Sequence, residues 1–283
     1  MLTVLDAVQK STEYLEKKGI ESSRLNAELL LAEILNCKRL DLYLRFEKPL
    51  SEEEIIKYRE WIARRGKYEP LQYIIGQVEF YELRFNVNSS VLIPRQETEI
   101  LVETIINQNR AIQGLRILDI GTGSGIIPIT LAKYLKNASI LSIEISPEAI
   151  AIAKENAKLN EVENLVEIIN QDIFNSAFPS NSFDLIVSNP PYVSKEEFPT
   201  LQKEIIDFEP EQAVSDGEDG LKYYKYISEK CSEWLNENGK LYFELGKDQH
   251  EKVNELMKSN NFQNITIIKD YDQIERVIKG EKR

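Results

Sequence analysis

Two short stretches carry residue types able to do chemistry: ILDIGTGSGIIPITLA, from Ile117, and FDLIVSNPPYVS, from Phe183. The first runs from an apolar strand into Gly121, Gly123 and Gly125 and then into a helix. Glycines let a chain turn sharply and let backbone approach a ligand closely. A dinucleotide fingerprint would place its third glycine at 126, which is Ile126. Asp119 stands just ahead of the loop. A carboxylate there repels a pyrophosphate at the helix end but suits a ligand carrying positive charge. The next strand, ILSIEI, brings Glu144 to its end, nineteen residues after Gly125. An acid at that spacing accepts the hydroxyl protons of a ribose. QDIF then puts Asp172 at the end of a third strand, within reach of an adenine edge. The glycines alone are a weak signal. With Asp119, Glu144 and Asp172 at successive strand ends, they read as a site for S-adenosylmethionine, a nucleoside bearing a sulfonium.

The second stretch ends a strand on Asn189-Pro190-Pro191-Tyr192. Two prolines in a row cannot continue a buried strand, so the chain must turn outward as a rigid elbow. An elbow at that place serves one kind of reaction well. A planar NH2 group, as on glutamine or adenine, is a poor nucleophile because its lone pair is delocalised. Two acceptors that hold its N–H bonds expose that lone pair to an electrophilic carbon. The Asn189 side-chain oxygen and the Pro190 carbonyl are the acceptors, and Tyr192 offers a ring face to the planar group. Both acceptors also stabilise positive charge as it develops on nitrogen, so the transfer needs positioning more than a covalent nucleophile.

Alternating short strands and helices after Gly114 position these residues. LRILDIG, ILSIEI, VEIIN, FDLIVS, KLYFEL and ITIIKD are apolar strands, most of them separated by amphipathic helices. That rhythm predicts a parallel sheet covered on both faces, with ligands bound beyond the carboxyl ends of its strands. The first seventy or so residues are helical throughout. SSRLNAELLLAEILN starts at Ser22 or Ser23 as a cap, and SEEEIIKYREWIARRG opens on the capping box Ser51/Glu54 and closes on Gly66. Arg59, Arg64, Arg65 and Lys67 complement the dipole of that second helix or form a contact surface for a partner. Alternation in QYIIGQVEFYELRFNVN, from Gln72 to Asn88, predicts a hairpin. The next helix then begins with Glu97 and Glu99 in its first turn.

Composition limits the function classes. The net charge is −12 and the isoelectric point about 4.9, which weighs against non-specific tracking on nucleic acid. Cys37 and Cys231 are too few for a disulfide framework and suit a reducing cytoplasm. His250 is the only histidine, and its polar neighbours make it a solvated helix residue. No metal cluster is visible, no apolar run reaches the roughly 20 residues of a membrane span, and the first residues lack a signal-peptide pattern. The carboxylate-rich EIIDFEPEQAVSDGEDG reads as a solvated loop.

These motifs resemble the PrmC/HemK family, glutamine N5-methyltransferases of peptide-chain release factors. The resemblance runs through AELLLAEIL, EPLQYIIGQVEF, LIPRQETEILV, ILDIGTGSG, IVSNPPYVS, FEPEQAV, DGLKYY, FELGKDQ and KDYDQIERVI. The Asn-Pro-Pro-Tyr element is shared with DNA adenine and rRNA guanine N2-methyltransferases. The helical amino-terminal segment, LIPR, and FEP with DGL favour the release-factor enzymes. The resemblance implies a Rossmann-like class I S-adenosylmethionine-dependent methyltransferase with a seven-stranded, mostly parallel sheet whose last strand is antiparallel. It also implies a helical substrate-recognition domain over residues 1–70, a β-hairpin linker over 71–92 and a catalytic domain over 93–283. By the same resemblance, Gly121, Thr122, Gly123, Ser124, Gly125, Glu144, Asp172, Ile173 and Asn189 hold S-adenosylmethionine. Asn189, Pro190, Pro191 and Tyr192 receive the glutamine of a Gly-Gly-Gln motif, and S-adenosylhomocysteine is the product. Glu144 stands where the family more usually has aspartate, Gln96 where proline is common, and Ile173 where an aromatic can occur. The expected partner is a release factor in the cytoplasm, with neither nucleic acid nor membrane. Methylation of an adenine N6 or guanine N2 amino group is the alternative, and an intact Asn189 and glycine loop argue against a binding module without catalysis.

Overall fold

All residues, 1–283, are described in the computed structural model, and they group into two units: Met1–Gly76 with Gln202–Phe208, and Gln77–Leu201 with Glu209–Arg283. In the first unit, α1 (Val4–Lys17) starts at a capping box in which Thr3 and Asp6 satisfy each other's backbone N–H. Helix α2 (Ser23–Ile34) starts without one. Ser22 sits in the left-handed region at φ 49° with no side-chain cap, and the Ser23 hydroxyl donates back to the Ile20 carbonyl. The expected serine cap is therefore absent. Helix α3 (Glu52–Arg65) has the expected Ser51/Glu54 box. Gly66 ends it with an ordinary helical φ of −64°. A Cβ there would lie 2.7 Å from the Tyr14 ring, so this glycine serves close packing and not a left-handed turn. The one-turn helix α4 (Leu71–Ile75) follows.

The core of this unit joins Leu15, Leu30, Leu31, Tyr58 and Trp61. Arg64 pairs with Glu69, and Arg65, 4 % exposed, binds Asn26, the Glu69 carbonyl and Glu204. Of the four basic residues at the end of α3, Arg65 is thus buried inside the unit, while Arg64 is paired with Glu69 and stays partly exposed.

The second unit begins with the hairpin β1 (Gln77–Phe80) and β2 (Leu83–Asn86). It is shorter than the alternation suggested, because Leu71–Ile75 is helical. Tyr81 and Glu82 turn it with φ of 48° and 63°, as a two-residue loop of this kind demands. The divisions expected at 70 and 92 move to 76: α4 goes with the helical unit and the hairpin with the sheet unit. The segment Gln202–Phe208, by contact, also belongs to the helical unit.

The remaining strands are β3 (Arg116–Ile120), β4 (Ser139–Glu144), β5 (Val166–Asn170), β6 (Phe183–Ser188), β7 (Leu235–Glu244), β8 (Phe262–Lys269) and β9 (Glu275–Lys282). They form one sheet in the order β5-β4-β3-β6-β7-β9-β8, parallel except for β9. This is the Rossmann-like α/β sheet expected, with its last strand antiparallel. Helices α5 (Glu97–Asn109), α6 (Ile126–Tyr134), α7 (Pro147–Leu159), α8 (Lys203–Phe208, of the first unit), α9 (Glu211–Val214), α10 (Lys222–Trp234) and α11 (His250–Ser259) complete the chain. Successive residues of a strand point to opposite faces. Ile117 accordingly packs with Leu101, Ile105 and Ile129, while Leu118 and Ile120 pack with Tyr224, Trp234 and Phe243. His250 is half-buried at the start of α11, its Nδ1 3.9 Å from Glu275, and is not the solvated residue expected. No helix is long and apolar enough to cross a membrane.

Candidate active site

Strands β4, β3 and β6 lie side by side, and the chain leaves the carboxyl ends of β3 and β6 toward opposite edges of the sheet. Such a switch point opens a crevice. Here a cleft is lined by the glycine loop, Glu144, Asp172, Ile173 and the Asn189–Pro191 elbow. Most of the residues picked from sequence therefore meet in one place.

The loop is held by backbone bonds and by one acid. Gly121 and Thr122 N–H both donate to the Ile143 carbonyl, at 3.0 and 3.3 Å, and Gly125 N–H donates to Thr122 at 2.8 Å. All three glycines have φ between 54° and 85°, which L side chains rarely adopt. A Cβ on Gly125 would also come within 2.8 Å of Ile129 and 3.3 Å of Ala153, so this glycine closes the α6–α7 packing. Gly121 and Gly123 face open space. The Glu144 carboxylate accepts from Gly123 N–H at 2.9 Å, Ile145 N–H at 2.8 Å and Ser146 N–H at 3.0 Å. It thus ties the loop to the end of β4 while lining the cleft.

Three expectations shift. Asp172 lies two residues beyond the end of β5 and caps a 3-10 turn, accepting from Phe174 N–H at 3.0 Å and Asn175 Nδ2 at 2.8 Å. It lines the cleft, but its carboxylate is already engaged. Asp119 is fully buried and does not line the cleft. Strand alternation turns it with Ile117 onto the other face of the sheet, beside its β4 neighbour Ser142. One oxygen takes the Thr122 hydroxyl hydrogen bond and the other has no partner. Burial raises its pKa to about 7 and Glu144 adds to this, while the Thr122 and Ser142 hydroxyls oppose it. Asp119 thus supports the loop from beneath. Tyr192 is also off the cleft wall. Its ring lies against Gly246, where an added Cβ would meet it at 2.8 Å, and Gln249 Nε2 donates to its carbonyl at 2.9 Å. Burial pushes its phenol pKa up.

At the elbow, Asn189 Nδ2 points at the Thr98 hydroxyl, 3.4 Å away. The Asn189 Oδ1 and the Pro190 carbonyl accept no hydrogen bond from the protein. Two free acceptors therefore stand together on the cleft wall.

Sequence reasoning assigned no role to several residues now seen around them. Arg95, on the cleft wall, is paired with the buried Glu209 at 2.5 Å, and Glu209 also accepts from Ile93 N–H at 3.1 Å. That bond joins LIPR to FEP, and with the buried Asp216, which takes Glu218 and Lys222 N–H, it corrects the reading of that acidic stretch as a solvated loop. Thr98 and Glu244 are 1 % exposed behind Asn189. Their motifs, QETE and FELGKDQ, were visible, but only the sheet brings them together.

The site fits S-adenosylmethionine. Gly121 and Gly123 leave a cradle that side chains would fill, Glu144 faces the cleft beside them, and Ile126, Ile127, Ile143 and Ile173 supply apolar walls for a base.

Comparison with known proteins gives the family and the fold. Residues 6–76 match the family described as the PrmC N-terminal domain, and residues 95–221 match the methyltransferase small domain. The release factor glutamine methyltransferase of Geobacter sulfurreducens is 41% identical over 278 residues, covering 98% of this chain and 96% of its own. That of Fusobacterium nucleatum is 42% identical over 279 residues, covering 98% of this chain and 78% of its own. Among solved structures, a methyltransferase from Pyrococcus furiosus matches 72% of this chain and 90% of its own at a TM-score of 0.53 and 18% identity, a likeness of fold.

Proposed function

The chain belongs to the release factor glutamine methyltransferase family, and on that premise we propose that it methylates the side-chain amide nitrogen (N5) of the Gly-Gly-Gln glutamine in a peptide-chain release factor. The observation that carries the reading is the pair of free acceptors, Asn189 Oδ1 and the Pro190 carbonyl, on the wall of the cleft that the glycine loop and Glu144 also line.

Gly121–Gly125 and Glu144 hold the cofactor, with Asp172 and Ile173 at the base. When bound, S-adenosylmethionine would supply a sulfonium methyl carbon; the C–S bonding pair stays on sulfur, and the newly methylated nitrogen gives up one proton to solvent. The chain's own contribution is geometric and electrostatic. Asn189 Oδ1 and the Pro190 carbonyl each take one N–H of the incoming amide. That fixes its plane and leaves its lone pair as the only direction open to reaction. Pro190 and Pro191 hold the second acceptor rigid, because each ring locks φ. Both acceptors meet the nitrogen as it becomes positive, which stabilises the transition state more than the ground state. Tyr192 acts by bracing the elbow from behind and not by stacking on the substrate.

Mass spectrometry of a purified release factor, incubated with the protein and S-adenosylmethionine, tests this directly. One methyl on the Gly-Gly-Gln glutamine is expected. No methyl there, with transfer to adenine or guanine in oligonucleotides run alongside, would replace the proposed acceptor with a nucleic acid.

A further inference from the structure

Behind the elbow stands a carboxyl group that the reaction as described does not use. Strands β6 and β7 are parallel, with Ser188 opposite Phe243. The next residues, Asn189 and Glu244, therefore leave the two strands side by side. Glu244 is 1 % exposed, and its Oε2 has no hydrogen-bond partner. A buried acid left in that state costs the fold free energy unless something else requires it.

The Asn189 amide requires it. Its oxygen can accept a substrate N–H only if its NH2 end points back into the protein. Two acceptors are available there: the Thr98 hydroxyl, 3.4 Å from Asn189 Nδ2, and the Glu244 carboxylate, which interacts with both side chains. We propose that Glu244 is a positioning residue for methyl transfer: together with Thr98 it takes the Asn189 NH2 from behind and so holds Asn189 Oδ1 toward the cleft. This rests on the reading of Asn189 as the acceptor's partner. An ionised carboxylate at the NH2 end also draws the amide's electron density toward Oδ1, which strengthens the hydrogen bond on the cleft side.

The groups facing Glu244 come from every neighbouring element. Glu97 and Thr98 face it from α5, Arg276 from β9, Asn189 and Tyr192 from the elbow and Tyr224 from α10. Burial dominates and brings its pKa to about 7; Glu97 adds to the rise, while Thr98, Arg276 and Asn189 oppose it. A neutral Glu244 can donate as well as accept, so protonation removes the constraint on which way Asn189 faces.

The test is an NMR titration of the full chain, 15N-labelled at asparagine, with the Asn189 side-chain NH2 signals assigned by Asn189→Asp. Those signals are expected to shift with a midpoint near 7. The shift should persist in Asp119→Asn, the other acid near that value, and vanish in Glu244→Gln. Asn189 signals that are unmoved by Glu244→Gln, or that titrate in Glu244→Gln as they do in the unchanged chain, overturn the proposal whatever the acceptor proves to be. Where the release factor is methylated, Glu244→Gln is expected to lower kcat about tenfold with cofactor affinity unchanged and to flatten the rise of kcat through pH 7. Unaltered kcat and pH profile would overturn the role in transfer while leaving the assigned reaction intact.

Discussion

Glu28 in the helical unit and Asp119 in the sheet unit are both shut away from solvent, and their surroundings treat them in opposite ways. Glu28 receives Arg24 Nε at 2.9 Å, Arg39 Nη1 at 2.7 Å and the Tyr43 hydroxyl at 2.9 Å. Burial alone would raise its pKa, but these donors outweigh it and hold the carboxyl below its usual range. Asp119 has one hydrogen bond, from the Thr122 hydroxyl, and one bare oxygen, so burial prevails over what the Thr122 and Ser142 hydroxyls offset. Glu244 behaves the same way. An acid completed by its neighbours stabilises a fold. Acids left incomplete stand beneath and behind the cleft, in keeping with the tendency of perturbed groups to gather at functional sites.

The largest effect expected from this contrast is at Asn189. Asn189→Ala should lower kcat by about 10²–10³-fold with little change in cofactor affinity by calorimetry and in folding stability. An equal loss of cofactor binding would move Asn189 out of the acceptor site. In the helical unit the effect should fall on stability instead. Glu28→Ala leaves two guanidinium groups without their acid and should cost about 2–3 kcal/mol in denaturant unfolding, less than a wholly buried pair because Arg24 remains partly solvated. The chain has two tryptophans, Trp61 in the helical unit and Trp234 in the sheet unit, so fluorescence of Trp61 in a Trp234→Phe background reports the right unit. A loss seen first at Trp234, followed in a Trp61→Phe background, would contradict the assignment of Glu28 to local stability.

Glu144→Ala comes next. It should weaken S-adenosylmethionine binding by about 1–3 kcal/mol in calorimetry, through lost hydrogen bonds and a loosened Gly123. Unchanged affinity would remove Glu144 from the cofactor site. Asp119→Asn should show the smallest effect, and its sign depends on pH. Asp119 binds its proton more tightly in the folded chain. Its stabilising contribution is therefore complete below the ordinary carboxylate range and is lost as pH rises toward about 7. Asp119→Asn should accordingly gain about 1–2 kcal/mol at pH 8 and almost nothing at pH 4, read at Trp234. A variant less stable at pH 8 would mean that the Asp119 charge is compensated after all.

Much of the sheet unit was legible in the chain because its strands are short apolar runs whose ends carry chemistry. The loop at Gly121–Gly125, the acid at Glu144 and the Asn189–Pro191 elbow could be placed on one edge of a parallel sheet without coordinates. Strand β9 shows where that signal fades: Glu275–Lys282 is mostly polar, and Val277, Ile278 and Gly280 alone are buried. The serine cap expected for α2 failed for another reason, since the Ser23 hydroxyl found a carbonyl to donate to. Tyr192 was read as a substrate contact because an aromatic beside an elbow suggests stacking, but Gly246 leaves room for its ring on the core side.

Residue order alone determined the parallel sheet, the cofactor loop and the acceptor elbow, because local pattern dictates each of them: apolar runs make strands, glycines permit left-handed turns and prolines end a ladder. Tertiary structure alone decided which acid faces the cleft, which supports it from beneath and which stands behind Asn189. Pairing with β4 set Asp119 beside Ser142, and register with β7 set Glu244 beside a residue 55 positions earlier in the chain. Those outcomes depend on sheet neighbours and on the cost of removing charge from water, and neither is written in the local sequence.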